Sequence, residues 1–273
     1  MSNSKKVALV TGASSGIGED TARRLKAEGY IVYGAARRVE RMKGLELDGI
    51  KILHLDVTDD ESMIKCVDTI IRDQGRLDIL VNNAGYGSYG ALEDVPLEEA
   101  KRQFEVCVFG LGRMTQLALP HMRMNGYGKI VNISSIGGKI GEPHGSWYHA
   151  AKFAVEGMSD SIRMELKQFG IDVIIIEPGS IKTEWNGIAR ENMLKVSGKT
   201  AYGSLANKHA NMLKGFEGRG SDPSIIGKTI VKAVNARKPK TRYCIGAGGP
   251  LMLNMRRILS DRMFDNMMLS QMK

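Results

Sequence analysis

Cysteine is scarce: the 273 residues include three, Cys66, Cys107 and Cys244. They are scattered, odd in number and never in a Cys-x-x-Cys pair, which argues against a disulfide framework or a thiolate zinc site. Free thiols fit a reducing, cytoplasmic compartment. Histidine offers no metal site either, because His54, His121, His144, His149 and His209 form no His-x-x-x-His pair. No apolar run approaches the roughly 18–20 residues that a transmembrane segment needs. An apolar leader is also missing, since Met1 to Lys6 runs straight into a short predicted strand. Acidic residues are outnumbered, 30 against 39 basic, for a net charge of +9. Such an excess can mark a nucleic-acid partner. Here the basic residues are spread, with only short clusters at 37–43, 237–242 and 256–257, and there are two tryptophans. No nucleic acid is expected as a partner.

What is present is an ordinary globular balance, 42% hydrophobic and 25% charged. Lys6 to Thr11 predicts a strand, Gly12-Ala-Ser-Ser-Gly16-Ile-Gly18 a tight turn, and an amphipathic pattern runs on to Glu28. In that context, glycines let the backbone approach a pyrophosphate, whose charge then lies at the positive end of the helix. Gly12, Gly16 and Gly18, with Ser14, Ser15 and Ile17 between them, are therefore candidate dinucleotide-binding residues. The next predicted strand, Ile31 to Ala36, ends in Arg37 and Arg38, where a NAD site carries an acid for the ribose 2′-hydroxyl. Two guanidiniums suit a 2′-phosphate instead, which they can grip bidentately. The expected cofactor is NADP(H) rather than NAD(H).

Further strands are predicted at 50–55, 77–81, 129–133, 172–177 and 241–245. Helical patterns lie at 60–74, from Pro96 to about Met124, and from Tyr148 to near Phe169. The strands are rich in Val, Ile and Leu, with little polar alternation. The fold class is α/β, a doubly wound, mostly parallel seven-stranded sheet with helices on both faces. Ligands of such sheets gather at the carboxyl ends of the strands. The glycine turn, Arg37, Asp56 with Val57, Asn83-Ala84-Gly85, Ser134-Ser135 and the run Pro178-Gly179-Ser-Ile181-Lys-Thr183 all follow predicted strand ends. Asp56 is placed to bond an adenine amino group.

Tyr148 and Lys152 stand at i and i+4, so a helix sets them on one face. A phenol has a pKa near 10. A cation about 4 Å away is worth roughly 4 kcal/mol at an effective dielectric near 20, or roughly three pKa units. In bulk water the shift would be under about one unit, so the pair requires a closed pocket.

With these motifs in order, the chain resembles the short-chain dehydrogenase/reductase family. The resemblance is carried by Thr11-Gly12-x-x-x-Gly16-x-Gly18, Asn82-Asn83-Ala84-Gly85, Ser135, Tyr148-x-x-x-Lys152 and Pro178-Gly179. It is specific over about residues 5–185 and looser beyond. Val-Tyr-Gly-Ala-Ala-Arg-Arg and Ile-Glu-Pro-Gly-x-Ile-x-Thr are similar to the hydroxysteroid- and retinol-dehydrogenase-like branch. The resemblance implies a single Rossmann-type domain over 1–273. Its parts are a cofactor and catalytic core at 1–183, a substrate lid at 184–220 and a C-terminal helical tail at 246–273. It implies hydride transfer between NADPH and an apolar ketone or aldehyde, or the reverse from a secondary alcohol. Tyr148 is the implied general acid, Ser135 the partner of the carbonyl oxygen, and Lys152 the residue that lowers the tyrosine pKa and holds the nicotinamide ribose. Asn83, Ala84 and Gly85, with Pro178 and Gly179, border the cofactor, and Thr183 with the backbone at Ile181 fixes the carboxamide. A homodimer or homotetramer is implied, paired through the helices that contain Pro96 and Trp147.

One position departs from the family pattern. The resemblance places an asparagine of the proton relay where this chain has Cys107, in Phe104-Glu-Val-Cys107-Val-Phe-Gly110. A thiol is a poor hydrogen-bonding substitute for an amide. A cofactor-binding regulator with weak or no turnover is therefore the alternative to an enzyme. The tail, with Met252, Met255, Met263, Met267 and Met268, is open to three uses: lining the pocket, covering an interface, or touching a membrane surface.

Overall fold

Val7 to Thr11 is buried along its whole length, and alternate side chains feed two different cores. Such a strand must be covered on both faces. The computed structural model describes residues 5–216 and 220–272, and in it this strand (β1) lies in the interior of a seven-stranded sheet, next to its central strand. The elements in order are β1 (Val7–Thr11), α1 (Gly16–Ala27), β2 (Ile31–Ala36), α2 (Lys43–Leu47), β3 (Lys51–His54), α3 (Asp60–Gln74) and β4 (Ile79–Asn82). They continue with α4 (Leu97–Phe104), α5 (Gly110–Met124), β5 (Gly128–Ile133), α6 (Ser146–Leu166) and β6 (Ile171–Pro178). Last come α7 (Trp185–Ser197), α8 (Gly203–Phe216), α9 (Ser224–Asn235), β7 (Arg242–Ile245), α10 (Gly249–Ile258) and α11 (Asp261–Ser270). The strand order is β3-β2-β1-β4-β5-β6-β7, and every pairing is parallel. "Mostly parallel" thus becomes wholly parallel.

Leu9, Leu80 and Ile130 face α3, α5 and α6 through Val67, Met114 and Val155. Ala8, Val81 and Ile174 face α1 and α9 through Leu25, Ile226 and Ile230. The order reverses between β1 and β4, so the chain leaves that seam in both directions, and the loops after β1 and β4 border a crevice.

The helix expected over 96–124 is not continuous. A π turn over Glu105–Phe109 separates α4 from α5 and carries Cys107 at its centre. At Gly110 the helix presses against the loop after β3. A Cβ there would come within 2.9 Å of the Val57 side chain, so the approach requires glycine. Such wide turns recur at functional sites. In the tail, Phe264 and Met268 pack with Met252 and Met255 against Ile136 and Ile140, beneath the loop that carries Ser135. The contacts the tail displays are with the loop that carries Ser135, a support that is none of the three uses named above, while Met263 faces solvent. Among the described residues no helix is long and apolar enough to cross a membrane.

Candidate active site

The glycine turn is tied to the loop after β4 by side chains of both segments. Thr11 Oγ1 accepts from the N–H groups of Asn83 and Ala84, each at 3.0 Å. Asn83 Nδ2 donates to the carbonyls of Thr11 at 3.0 Å and Gly12 at 3.2 Å. Gly12 has φ +66° and Gly16 φ +58°, a region that glycine enters without strain. A Cβ on Gly18 would fall 2.5 Å from Asn83 Nδ2. Ser15 is the N-cap of α1, yet its hydroxyl makes no capping bond. The first N–H groups of α1, with Ser14, Ser15 and Ile17 alongside, therefore suit an anion at the helix start.

At the end of β2, Arg37 and Arg38 are exposed. Arg38 Nη2 reaches Ser14 Oγ at 3.3 Å, joining the arginines to the glycine turn. Arg37 shares with Asp56 and Thr58 a cavity of about 480 Å³ walled on its far side by Glu98, Lys101 and Arg102 of α4. Burial raises the Asp56 pKa, but Thr58, donating from N at 3.0 Å and Oγ1 at 2.8 Å, and the Arg37 charge outweigh it. The carboxyl is held below its usual range. The neighbouring Val57 is buried against Gly110.

Tyr148 and Lys152 lie in the first two turns of α6, both buried. Ser135 follows β5 and caps a short 3₁₀ turn, its Oγ accepting from Gly137 N at 3.0 Å. Burial pushes the Tyr148 phenol well above its ordinary pKa, and the hydrogen bond with Ser135 opposes part of that. Lys152 Nζ donates to the Ile133 carbonyl at 2.8 Å and lies 5.9 Å from the Tyr148 ring centroid. Burial lowers the lysine pKa, against the influence of Cys107 and Glu156. Burial is thus the larger influence on the phenol in the structure, and the Ser135 hydrogen bond the smaller, opposing one. Cys107 is at the site too: its Sγ would be 3.4 Å from a Cβ on Gly85, which would itself be 4.0 Å from Lys152 Nζ. The thiol accepts from Gln103 Nε2 at 3.0 Å and donates to the Tyr86 carbonyl at 3.7 Å.

The segment after β6 closes the other side. Gly179 N donates to Ile245 O at 2.8 Å, Ile181 is buried, and the Thr183 methyl would lie 3.4 Å from a Cβ on Gly16. Pro178 ends the strand and aims this run across the glycine turn. Residues 184–220 open as the helices α7 and α8, and 217–219 fall outside the described residues. Trp185 lies tilted against Tyr148, ring centroids 5.2 Å apart, and Ala189, Met193, Ala206 and Leu213 pack around them.

Two neighbours of Tyr148, Tyr89 and Glu142, escaped the sequence reading, as did the pair His144 and His209 packed behind Tyr89. The Tyr89 ring is 5.7 Å from that of Tyr148, and its hydroxyl donates to Glu142 Oε1 at 2.6 Å. His144 Nδ1 and His209 Nδ1 share a hydrogen bond of 3.1 Å, joining α8 to the loop before α6. No fixed spacing links these positions. The one local hint is the polar run Glu142-Pro-His144 just ahead of the tyrosine helix.

A family model described as short chain dehydrogenase matches residues 6–194. The chain is 38% identical over 242 residues to a 3-ketodihydrosphingosine reductase of Bacteroides thetaiotaomicron, covering 88% of each. It is 33% identical over 279 residues to an NADPH-dependent 3-dehydrocapnine reductase of Ornithobacterium rhinotracheale, covering 98% of each. A short-chain dehydrogenase from Streptomyces avermitilis superposes with a TM-score of 0.80 at 35% identity, over 92% of both chains. This chain belongs to the short-chain dehydrogenase/reductase family. It is an NAD(P)-dependent oxidoreductase.

Proposed function

We propose that the chain is a reductase that uses NADPH to convert an apolar ketone or aldehyde into an alcohol, or runs the reverse. The observation that carries this reading is the convergence of Ser135, a buried Tyr148 and a buried Lys152 beside the glycine turn. When bound, the reduced nicotinamide supplies the hydride. Ser135 Oγ orients the carbonyl oxygen toward Tyr148, whose phenol gives it a proton as negative charge develops there. The phenolate that remains is stabilised by the Lys152 ammonium in a site from which Trp185, α7 and α8 exclude water.

The residues present fit the dinucleotide. The uncapped start of α1 suits the pyrophosphate, with Asn83, Ala84 and Gly85 along one wall and Pro178, Gly179, Ile181 and Thr183 along the other. Arg37 and Arg38 suit a 2′-phosphate, Asp56 the adenine, and Lys152 the nicotinamide ribose. NADPH as the preferred cofactor is supported by the arginines and by the name of the Ornithobacterium relative.

On this reading α7 and α8 form the substrate lid of one Rossmann-type domain, and the location is cytoplasmic. A homodimer or homotetramer is supported by the exposed apolar side chains Leu97, Phe109 and Phe153 on and beside α4 and α6.

A second reading, a cofactor-binding regulator, draws on Cys107, whose thiol is engaged by Gln103 and Tyr86. The test is NADPH oxidation with ketones, aldehydes and quinones, on wild type and Cys107→Asn together. Turnover by both supports the enzyme and shows that the relay does not need an asparagine. Turnover by the variant alone, with NADPH bound by both, favours the regulator.

A further inference from the structure

A buried carboxylate behind the active site has no part in the chemistry above. Glu156 follows Lys152 by four residues and Tyr148 by eight, so the three share one stripe of α6. Its Oε2 meets cations from two other segments, Arg242 Nε of β7 at 2.9 Å and Lys139 Nζ at 2.9 Å. Arg242 has further acceptors, Asp160 Oδ2 at 2.7 Å and Glu177 Oε1 at 3.4 Å. Lys139 forms no other ion pair among the described residues. Its side chain is about a third exposed and that of Glu156 almost closed off, 35% against 4%. The ammonium therefore gives up little water, while the carboxylate depends on the donors it is offered.

Lys139 directly follows the 3₁₀ turn that Ser135 caps. Within that turn Ser135 Oγ accepts from Gly137 N at 3.0 Å, Gly138 N donates to the Ser135 carbonyl at 2.9 Å, and Lys139 N to the Ile136 carbonyl at 2.9 Å. Ser135 to Lys139 is thus one hydrogen-bonded unit. It is seated along α6. A Cβ on Gly137 would lie 3.1 Å from Tyr148 Cε1, and one on Gly138 would lie 3.0 Å from the Lys152 carbonyl oxygen and 2.9 Å from Glu156 Cγ. The two glycines permit this approach but have no side chain with which to grip the helix, and Ile136 packs with the tail. Lys139 is the residue of the unit whose side chain holds α6.

We propose that Lys139 and Glu156 are positioning residues for Ser135. Their ion pair fastens the far end of the capped turn to the helix that carries Tyr148 and Lys152, and so sets the serine hydroxyl against the phenol. The role of Ser135 rests on the reductase reading.

Single-turnover oxidation of NADPH, on a ketone that wild type reduces, tests this with Lys139→Met, Lys139→Arg, Glu156→Gln and the double variant of Lys139→Met with Glu156→Gln. Lys139→Met should slow the turnover by about tenfold and leave NADPH affinity within about twofold, as the loss of a charged hydrogen bond that orients a reacting group warrants. Lys139→Arg keeps a donor for the carboxylate and should recover most of the rate. The double variant should be no slower than the slower single variant, because the two residues act as one unit. A lower urea midpoint with an unchanged rate shows a purely structural tie and overturns the proposal. Rate losses that multiply in the double variant, or a Lys139→Arg rate no better than that of Lys139→Met, overturn it as well. If wild type reduces no carbonyl, the reductase reading fails, and amide hydrogen exchange decides whether the pair holds the turn. Faster exchange at Gly137 and Gly138 in Lys139→Met, with the rest of the protein unchanged, supports it, and equal exchange overturns it.

Discussion

Lys152 is fastened to the Ile133 carbonyl, 2.8 Å from its ammonium, so the last residue of β5 sets the position of a side chain from α6. Both groups are buried. Lys152→Met should lower kcat/KM by about a hundredfold or more, in line with the loss of an acid–base partner. It should also leave a carbonyl without a donor, at a cost of about 1–3 kcal/mol, offset in part because no ammonium is then buried. Steady-state kinetics and urea denaturation of the same preparation check both.

The tie between Thr11 and the loop after β4 predicts a coupled loss of stability and cofactor affinity. Thr11→Val keeps the shape but leaves the N–H groups of Asn83 and Ala84 without their acceptor. A loss of about 2–3 kcal/mol is expected, together with weaker NADPH binding. An unchanged denaturation midpoint would show that the tie does not hold the turn.

Arg37 and Arg38 are solvent-facing charges, so their effect should be one of cofactor choice. Arg37→Asp should reduce the kcat/KM ratio of NADPH to NADH by about 10- to 100-fold, as the loss of a charged contact to a phosphate warrants. The wild-type preference should weaken at high salt. Measuring both cofactors at two ionic strengths reads out each effect.

The His144–His209 pair gives stability an acid limit. Burial, reinforced by His209, pushes the His144 pKa down from 6.5 to about 4, and burial lowers His209 as well. Below pH 6.5 the unfolded chain therefore binds a proton that the folded chain refuses. The contribution is complete above about pH 6.5 and is lost as pH falls toward 4, on the order of 2 kcal/mol for His144. His144 also has φ +63°, a conformation that asparagine tolerates. His144→Asn should flatten the fall in urea midpoint between pH 6.5 and 4.

The parallel sheet was legible because Val7–Thr11, Ile79–Asn82 and Ile171–Pro178 are buried on both faces and so are built around apolar runs, Val7 to Val10, Ile79 to Val81 and Val173 to Ile176. Strand ends moved by a residue or two, as where β6 continues into Pro178. The glycine turn, Ser135, Tyr148 and Lys152 were legible because each keeps a fixed spacing within its own segment. The π turn at Cys107 was not, since it depends on how closely Gly110 meets Val57. The burial of Tyr148 was not legible either, because helical spacing fixes the lysine's face and says nothing of desolvation. Glu142, Tyr89 and His209 come from three segments that only the fold brings together.

Tyr148→Phe removes one hydroxyl and leaves the glycine turn and the arginines untouched. Single-turnover oxidation of NADPH by this variant and wild type, on a carbonyl that wild type reduces, tests the proton-donor role most directly. The expected result is a rate lower by about a hundredfold or more, with NADPH affinity within about threefold of wild type. Equal rates in the two proteins would contradict it, and the proton would have to come from elsewhere.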